Sequence, residues 1–327
     1  MILPMPFFLA LDAGGTGTEC ALADEERILA RLHGGSVKIL RVPPEQAWNT
    51  LHSLVTEVAE RAHIPLDRIA AACVGISGFH VPAVQNWIRT AMGELVAAPL
   101  IVCGDDEIAL DAAFPRQSGV LIVAGTGSNA VARTSTGERV NVGGWGPALG
   151  DEGSAFWIGQ QALRAVFHAW DHGQPALFLQ RVTEHWQVAE IWQIVEKAHA
   201  LPPPDFAALA PIVNTCAEQG DRVCLEVLAA AGQELAEMGA LAFAKMRDLE
   251  SGTGVAGTGV AFTGSVLGSS SIVREQMIES LRRMLPTVHV LPHAVDPIMG
   301  AVLAARTGLA EQANAASPQD HEREEQA

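Results

Sequence analysis

One short sequence pattern occurs twice in the chain, about a hundred residues apart. This duplication constrains the fold more than any other feature of the sequence. LALDAGGTGTECALA, residues 9–23, is an apolar strand, a Gly/Thr turn and a second strand, and LIVAGTGSNAVA, residues 121–132, has the same form. Either turn alone is also compatible with an ordinary hairpin connection. Because glycine lacks a Cβ, such a turn lets backbone N–H groups converge on a phosphate. Two of them predict a polyphosphate that is held from both sides.

The order of elements after each hairpin predicts an α/β protein with two mixed sheets. In both halves, three hairpin strands precede alternating strands and helices, and a long helical stretch interrupts the second half. We therefore expect one lobe over residues 1–115 and a second over residues 116–310, with a helical insertion at about 159–250. The helix at 296–310 is a candidate to complete the first lobe. The acidic residues 311–327 have almost no large apolar side chains, so we expect a disordered tail.

Charge and cysteine content exclude several classes of function. A net charge of −16 disfavours a nucleic-acid partner and an anionic membrane surface, since both are bound chiefly through Lys and Arg. Five cysteines occur singly, without a C-x-x-C pair, which fits a reduced cytoplasmic protein. The apolar N-terminus lacks a basic region and runs directly into a polar turn. We therefore expect neither a signal peptide nor a membrane span there.

Familiar catalytic motifs are missing from the sequence or stand in the wrong context. No Gly-Lys dipeptide occurs, which excludes a Walker A loop, and neither H-E-x-x-H nor G-x-S-x-G is present. GTGVAG, residues 252–257, matches G-x-G-x-x-G but follows a helix and leads into a strand, the reverse of a dinucleotide site. We interpret it as a loop.

Six motifs, in order, resemble those of the N-acetylglucosamine kinase family. They are DAGGTGT (12–18), GDDEIAL (104–110), AGTGSNA (124–130), GGWGPALGDEGSAFWIG (143–159), FTGSV (262–266) and DPIMGAVLAA (296–305). That family belongs to the BadF/BadG/BcrA/BcrD-type ATPases of the actin/hexokinase-like superfamily. The resemblance implies two actin-like (ribonuclease H-like) lobes around a central cleft. It also implies ATP and Mg²⁺ as cofactors, a small sugar as substrate, and phosphorylation of N-acetylglucosamine at its 6-hydroxyl. Apolar faces in the helical insertion suggest a homodimer.

By this resemblance, nucleotide-binding residues come from both glycine turns. Asp12 ends the first strand and is expected to hold hydrated Mg²⁺ through water. The remaining candidates for contact with ATP are Gly14, Gly15, Thr16, Thr18, Thr126, Gly127, Ala207, Gly264 and Gly268. The turn residues are expected to contact the phosphates, and Ala207, Gly264 and Gly268 to border the adenine.

On the acceptor side, the resemblance makes Asp105 the base that accepts the proton of the sugar 6-hydroxyl. Its position after the apolar strand PLIVC suits that role, and we favour it over Asp106, although one of these acids can be only a helix-start residue. The expected sugar contacts are Ser77, Asp105, Ser128, Asn129, Gly144, Trp145, Gly146 and Asp151. Ser77 is equally compatible with a tight turn, and Asp151 with helix capping.

One departure from the family leaves the identity of the sugar open. After the third strand, where the family usually has a sugar-binding Asn, this chain has Val37 and Lys38. Glucosamine, N-acetylmuramic acid and N-acetylmannosamine therefore remain alternative acceptors, since acidic groups suit an ammonium and Lys38 suits a carboxylate. An alternative of another class is an ATPase that activates a partner enzyme. Such activators in this superfamily carry paired cysteines for an iron–sulfur cluster, and no cysteine here is so arranged.

Overall fold

The computed structural model describes residues 5–174, 176–250 and 258–316, with side chains described up to residue 309. The chain divides into two compact units. Unit 1 consists of the residues up to Pro115 together with those from Asp296 onward, and unit 2 is Arg116–Val295. The GTGVAG segment lies outside the described residues.

Unit 1 begins with a three-stranded hairpin and continues with two strand–helix units. Its elements are β1 (Phe7–Ala13), β2 (Gly17–Ala23), β3 (Ile28–Gly35), α1 (Pro44–Ala62), a 3-10 helix (Leu66–Arg68), β4 (Ile69–Ile76), α2 (Pro82–Leu95), β5 (Leu100–Cys103) and α3 (Asp105–Ala113). The sheet order is β3-β2-β1-β4-β5. β2 is antiparallel to β1 and β3, whereas β1, β4 and β5 are parallel.

Unit 2 repeats this order with additional helices. Its elements are β6 (Gly119–Ala124), β7 (Ser128–Arg133), β8 (Arg139–Gly143), α4 (Ala155–Asp171), α5 (Leu177–Trp186), α6 (Ile191–Ala198), a 3-10 helix (Phe206–Leu209), α7 (Ala210–Glu218), α8 (Arg222–Leu249), β9 (Gly259–Thr263), α9 (Ser265–Ser269), α10 (Ser271–Met284) and β10 (His289–Val290). The sheet order β8-β7-β6-β9-β10 matches unit 1 position by position. The last helix, α11 (Pro297–Ala316), belongs to unit 1.

Helices cover both faces of the unit 1 sheet. Side chains on both faces of β1 are apolar, because each face packs against a separate core. Leu9 and Leu11 lie in the core shared with α1 and α2, and Phe8 lies in the core shared with α3 and α11. α11 comes so close to α3 that a Cβ on Gly300 would lie 1.7 Å from the carbonyl oxygen of Ile108. This packing fixes α3, and with it the residues that open α3.

In unit 2 the long helix α8 packs on the sheet strands β6, β7 and β8 and against α10. It follows the third strand and precedes the fourth, the place that α1 has in unit 1. In this topology α8 corresponds to α1, and the helices between the third strand and α8 that have no counterpart in unit 1 are α4 to α7. Helical periodicity alone cannot separate an inserted helix from a repeated one. α8 is also the one described helix long and apolar enough to cross a membrane, and its position in the core explains its composition.

The predicted α/β class with two lobes of actin-like topology is confirmed, with two local corrections. The strand predicted over GVAFTGSVLG ends at Thr263, and α9 follows because Gly264, at φ 100°, turns the chain. α11 continues to Ala316, so residues 311–316, assigned to the tail, are helical. Alanine, glutamate and glutamine there are good helix formers. The rest of the tail lies outside the described residues.

Candidate functional site

Three side chains of unit 1 follow the carboxyl ends of the parallel strands β1, β4 and β5. Asp12 lies at the end of β1, opposite Gly75 of β4. Ser77 follows β4, and its backbone N–H donates to the carbonyl of Ala13 (2.9 Å). Asp105 opens α3 directly after β5. Parallel strands end at one edge of a sheet, which is where α/β folds place their ligands.

Asp105 is a partly buried carboxyl group that can act as a base. Burial, and then the nearby charge of Asp106, raise its pKa to about 6, while Lys38 acts in the opposite direction. Its Oδ1 accepts a hydrogen bond from the backbone N–H of Asp106 (3.1 Å). The carboxylate of Asp106 instead turns back on the helix start, where a Cβ on Gly104 would lie 2.2 Å from its Oδ1. Both acids therefore contact the start of α3, Asp105 through its hydrogen bond and Asp106 through its approach to Gly104.

Asp12 has an even higher pKa and lies in an acidic neighbourhood. Its pKa is raised to about 7, first by burial and then by the charges of Asp105, Glu19 and Asp296, while Arg31 acts in the opposite direction. The Arg31 guanidinium holds two of these acids: it pairs with Glu19 and, at 2.6 Å, with Asp296 at the start of α11. Sequence reasoning missed this network, because its members lie far apart along the chain.

The first glycine turn has free space where a ligand is expected. A Cβ built on Gly15 would meet nothing within 4 Å, and the carbonyl of Gly15 is held by the Ser36 hydroxyl (3.1 Å). Just after the turn, the hydroxyl of Thr18 is buried and has no hydrogen-bond partner among the described residues. Gly14 and Thr16 complete the turn between β1 and β2. Unit 1 thus brings together its predicted phosphate-binding residues.

In unit 2 the second turn, residues 125–127, is anchored to the start of α4. The carbonyls of Gly125 and Thr126 accept hydrogen bonds from the N–H groups of Ala155 (2.9 Å) and Phe156 (3.3 Å). Ser154 caps the same helix by accepting from Trp157 N–H (3.1 Å). These bonds fix the turn on a rigid helix, as a phosphate-binding loop requires.

Asp151 connects this turn to the glycine-rich loop that follows β8. Its carboxylate accepts hydrogen bonds from the backbone N–H groups of Ser128 and Gly146, and burial raises its pKa. A Cβ on Gly127 would lie 2.9 Å from Asp151 Oδ2, so glycine is required there. The hydroxyl of Ser128 is occupied as well, since it donates to the carbonyl of Glu152 (2.7 Å). Both predicted sugar contacts therefore also carry structural bonds.

The remaining predicted sugar contacts lie on or beside the same loop. Gly144 has a φ of 74° and donates its N–H to the Ser128 carbonyl (3.0 Å). It also packs on Asn129, since a Cβ added to Gly144 would lie 3.2 Å from the Asn129 Cβ. Trp145 is 74% exposed, which is unusual for tryptophan and leaves its ring free for a ligand. Gly146 follows at φ 86°.

Of the three residues predicted near the adenine, Gly264 is the most constrained. It combines a φ of 100° with a close approach to β6: a Cβ there would lie 2.3 Å from the Ala124 carbonyl oxygen, immediately before the second turn. Gly268 lies in α9 with open space beside it. Ala207 lies in the 3-10 helix that packs on α4, and its N–H donates to Asp205 (3.0 Å).

The donor set fits hydrated Mg²⁺ better than a metal held by protein alone. Within the described ranges, no group of three or more His, Cys, Asp or Glu side chains is arranged to hold a metal ion. Mg²⁺ usually keeps several waters and uses one or two carboxylates together with substrate phosphates. Asp12, which is partly buried, has other acids nearby and lies at the end of a strand beside the open turn, fits that pattern.

Comparison with known proteins finds relatives that match nearly the whole chain. An N-acetylmuramic acid/N-acetylglucosamine kinase of Clostridium acetobutylicum is 24% identical over 310 residues, covering 93% of this chain and 99% of the relative. An N-acetyl-D-glucosamine kinase of Dictyostelium discoideum is 25% identical over 316 residues, covering 91% and 97%. The crystal structure of a candidate N-acetylglucosamine kinase from Chromobacterium violaceum superposes with a TM-score of 0.69 at 25% identity, covering 91% and 98%.

A family profile decides the classification. The profile of the BadF/BadG/BcrA/BcrD ATPase family matches residues 9–305, which span both glycine turns, both sheets and the start of α11. The chain belongs to the BadF/BadG/BcrA/BcrD ATPase family.

Proposed function

We propose that this protein transfers the γ-phosphoryl group of ATP to an amino sugar, with N-acetylglucosamine as acceptor and its 6-phosphate as product. The observation that carries the proposal is Asp105: a partly buried carboxyl group at the end of a strand, with a pKa of about 6. A general base works best when its pKa lies near the working pH. The names of the two curated relatives support the same acceptor class, and leave N-acetylmuramic acid as an alternative beside glucosamine.

The predicted site residues divide into a base, donors to the phosphates and a carboxylate on the magnesium side. Asp105 accepts the proton of the sugar 6-hydroxyl as its oxygen attacks the γ-phosphorus, and the bond from that phosphorus to the bridging oxygen of ADP breaks. Gly15 and Thr16, and in unit 2 Thr126 and Gly127, donate to the phosphate oxygens. Asp12 would hold hydrated Mg²⁺, which would supply charge neutralisation at the phosphates.

The sugar contacts follow from what remains free in unit 2. Asp151 keeps lone pairs beyond its two backbone bonds and can accept from a sugar hydroxyl. The exposed ring of Trp145 offers an apolar face to the sugar. Ser128 contributes through its hydroxyl oxygen, which donates to the Glu152 carbonyl and keeps lone pairs that can accept from a sugar hydroxyl. Asn129 and the two glycines at 144 and 146 complete the set.

The proposal extends to partners and location. We assign the protein to the cytoplasm as a homodimer that binds neither nucleic acid nor membrane. All five cysteines are free and buried, which fits a reducing compartment. Exposed apolar side chains on the additional helices of unit 2, Trp170 and Trp192 among them, supply area for subunit contact. Sedimentation analysis tests the dimer: a single monomeric species at micromolar concentration contradicts it.

The experiment that tests the chemistry compares Asp105→Asn with Asp106→Asn in an assay that couples ADP release to a spectrophotometric signal. Both variants remove one negative charge from the first turn of α3. We expect Asp105→Asn to lose about 10²- to 10⁴-fold in kcat with N-acetylglucosamine. Asp106→Asn should retain most activity. Equal losses, or a larger loss in Asp106→Asn, would refute the assignment of the base.

A further inference from the structure

Lys38 is held rigidly beside the edge of unit 1 where β1, β4 and β5 end. Its backbone N–H donates to Ser36 Oγ (3.2 Å), and its carbonyl accepts from the N–H groups of Arg41 (2.8 Å) and Val42 (3.1 Å). The preceding side chain, Val37, is completely buried. The first atoms of the Lys38 side chain therefore start from a fixed backbone.

The ammonium group of Lys38 is only partly satisfied. Its Nζ donates to Ser77 Oγ (3.2 Å), a neutral acceptor. The side chain passes over Gly78, where a Cβ would lie 3.5 Å from Lys38 Cε. An ammonium has three N–H donors. In the part of the chain that the structure describes, no carboxylate lies within ion-pair distance of Nζ. A partly buried cation with spare donors is suited to an anionic ligand.

The position of this cation indicates which substrate carries the anion. The Lys38 ammonium bonds Ser77, a predicted sugar contact, and lowers the pKa of Asp105, whereas Arg31 lowers the pKa of Asp12. Asp105 is the base for the acceptor, and Asp12 is the carboxylate on the magnesium side. The free donors of Lys38 therefore lie on the side of the acceptor sugar.

We propose that Lys38 and Ser77 form a carboxylate-binding subsite beside Asp105, which makes amino sugars with a carboxylate substituent preferred acceptors. The subsite rests on the proposed function, and it narrows the acceptor class from neutral amino sugars to anionic ones. The ammonium donates to the carboxylate, and Ser77 holds the ammonium in place. Charge-assisted hydrogen bonds of this kind are about twice as strong as neutral ones.

The test compares N-acetylmuramic acid with N-acetylglucosamine in the wild type and in three variants at about pH 8, where Asp105 is ionised. Lys38→Met removes the charge, Lys38→Arg keeps it, and Arg41→Met removes an exposed cation three residues away as the control. We expect Lys38→Met to lower the ratio of kcat/KM for N-acetylmuramic acid over N-acetylglucosamine by about tenfold or more. Lys38→Arg should retain most of the preference, and Arg41→Met all of it.

Calorimetric binding of both sugars, with a non-hydrolysable ATP analogue present, separates failure of the subsite from failure of the kinase. If N-acetylglucosamine is phosphorylated and the ratio is the same in Lys38→Met as in the wild type, the subsite is refuted and the kinase stands. If neither sugar is phosphorylated, but N-acetylmuramic acid binds more tightly than N-acetylglucosamine and Lys38→Met abolishes the difference, the subsite stands and the kinase falls. Equal binding of both sugars to wild type and Lys38→Met refutes the subsite in either case.

Discussion

Replacing Asp12 with asparagine should make the ligand-free protein more stable at alkaline pH, although it removes the magnesium-side carboxylate. Burial raises the pKa of this carboxyl from 3.8 to about 7. In the unfolded chain the group ionises near pH 4, so the folded state is progressively penalised as the pH rises from about 4 to about 7. At 1.36 kcal/mol per pKa unit, the full penalty above pH 7 is about 4 kcal/mol. Asparagine is neutral throughout and does not incur it.

Urea denaturation of wild type and Asp12→Asn without nucleotide or Mg²⁺, at about pH 5 and about pH 8.5, measures this penalty. We expect the difference in unfolding free energy between Asp12→Asn and the wild type to be about 3 kcal/mol larger at pH 8.5 than at pH 5. Most of the ionisation of folded Asp12 takes place between these two pH values. Asp24→Asn is the control, and its effect on stability should have the opposite sign. Hydrogen bonds from the backbone N–H groups of Arg27 and Glu26 lower the pKa of Asp24, so loss of its charge should lower the unfolding free energy at both pH values. A pH-independent difference for Asp12→Asn would refute the reasoning.

Three further predictions concern the base, the first turn and the core. Asp105 must be deprotonated to accept a proton, so kcat/KM for the sugar should fall as the pH drops through about 6; a flat profile in steady-state kinetics from pH 5 to 8 would contradict this. Gly15→Ala, whose Cβ meets no atom, should keep the melting temperature while weakening calorimetric binding of Mg·ATP by about tenfold or more. Gly300→Ala should lose at least about 3 kcal/mol in urea denaturation because its Cβ collides with α3, whereas Gly93→Ala, in open space on α2, should gain about 0.5 to 1 kcal/mol.

The duplicated hairpin was readable from the sequence because its signal is local. Glycine, threonine and the flanking apolar runs are adjacent in the chain, and the same local order gives both sheets. The strand-end positions of Asp12 and Asp105 follow from that order as well. Their protonation does not, because it depends on burial and on charges such as Asp296, which lies far away in sequence.

The features that could not be predicted depend on side-chain geometry or on tertiary packing. The bond of Ser128 to Glu152 and the turn of Asp106 toward Gly104 are decided by local geometry that residue type does not specify. The link between Lys38 and Ser77 joins residues 39 positions apart, so neither one identifies the other. The sequence marked Lys38 only as an unusual residue, and its role emerges from its neighbours.

The central claim is that the γ-phosphoryl group of ATP is transferred to an amino sugar. The stoichiometry of this transfer tests the claim most directly. Purified protein is incubated with Mg·ATP, with and without N-acetylglucosamine, and both ADP and the sugar phosphate are quantified by ³¹P NMR. The account predicts one sugar 6-phosphate per ADP and little ADP release without sugar. ADP release that is unchanged by the sugar, with no phosphosugar signal for any amino sugar, would contradict it and indicate an ATPase that acts on a partner.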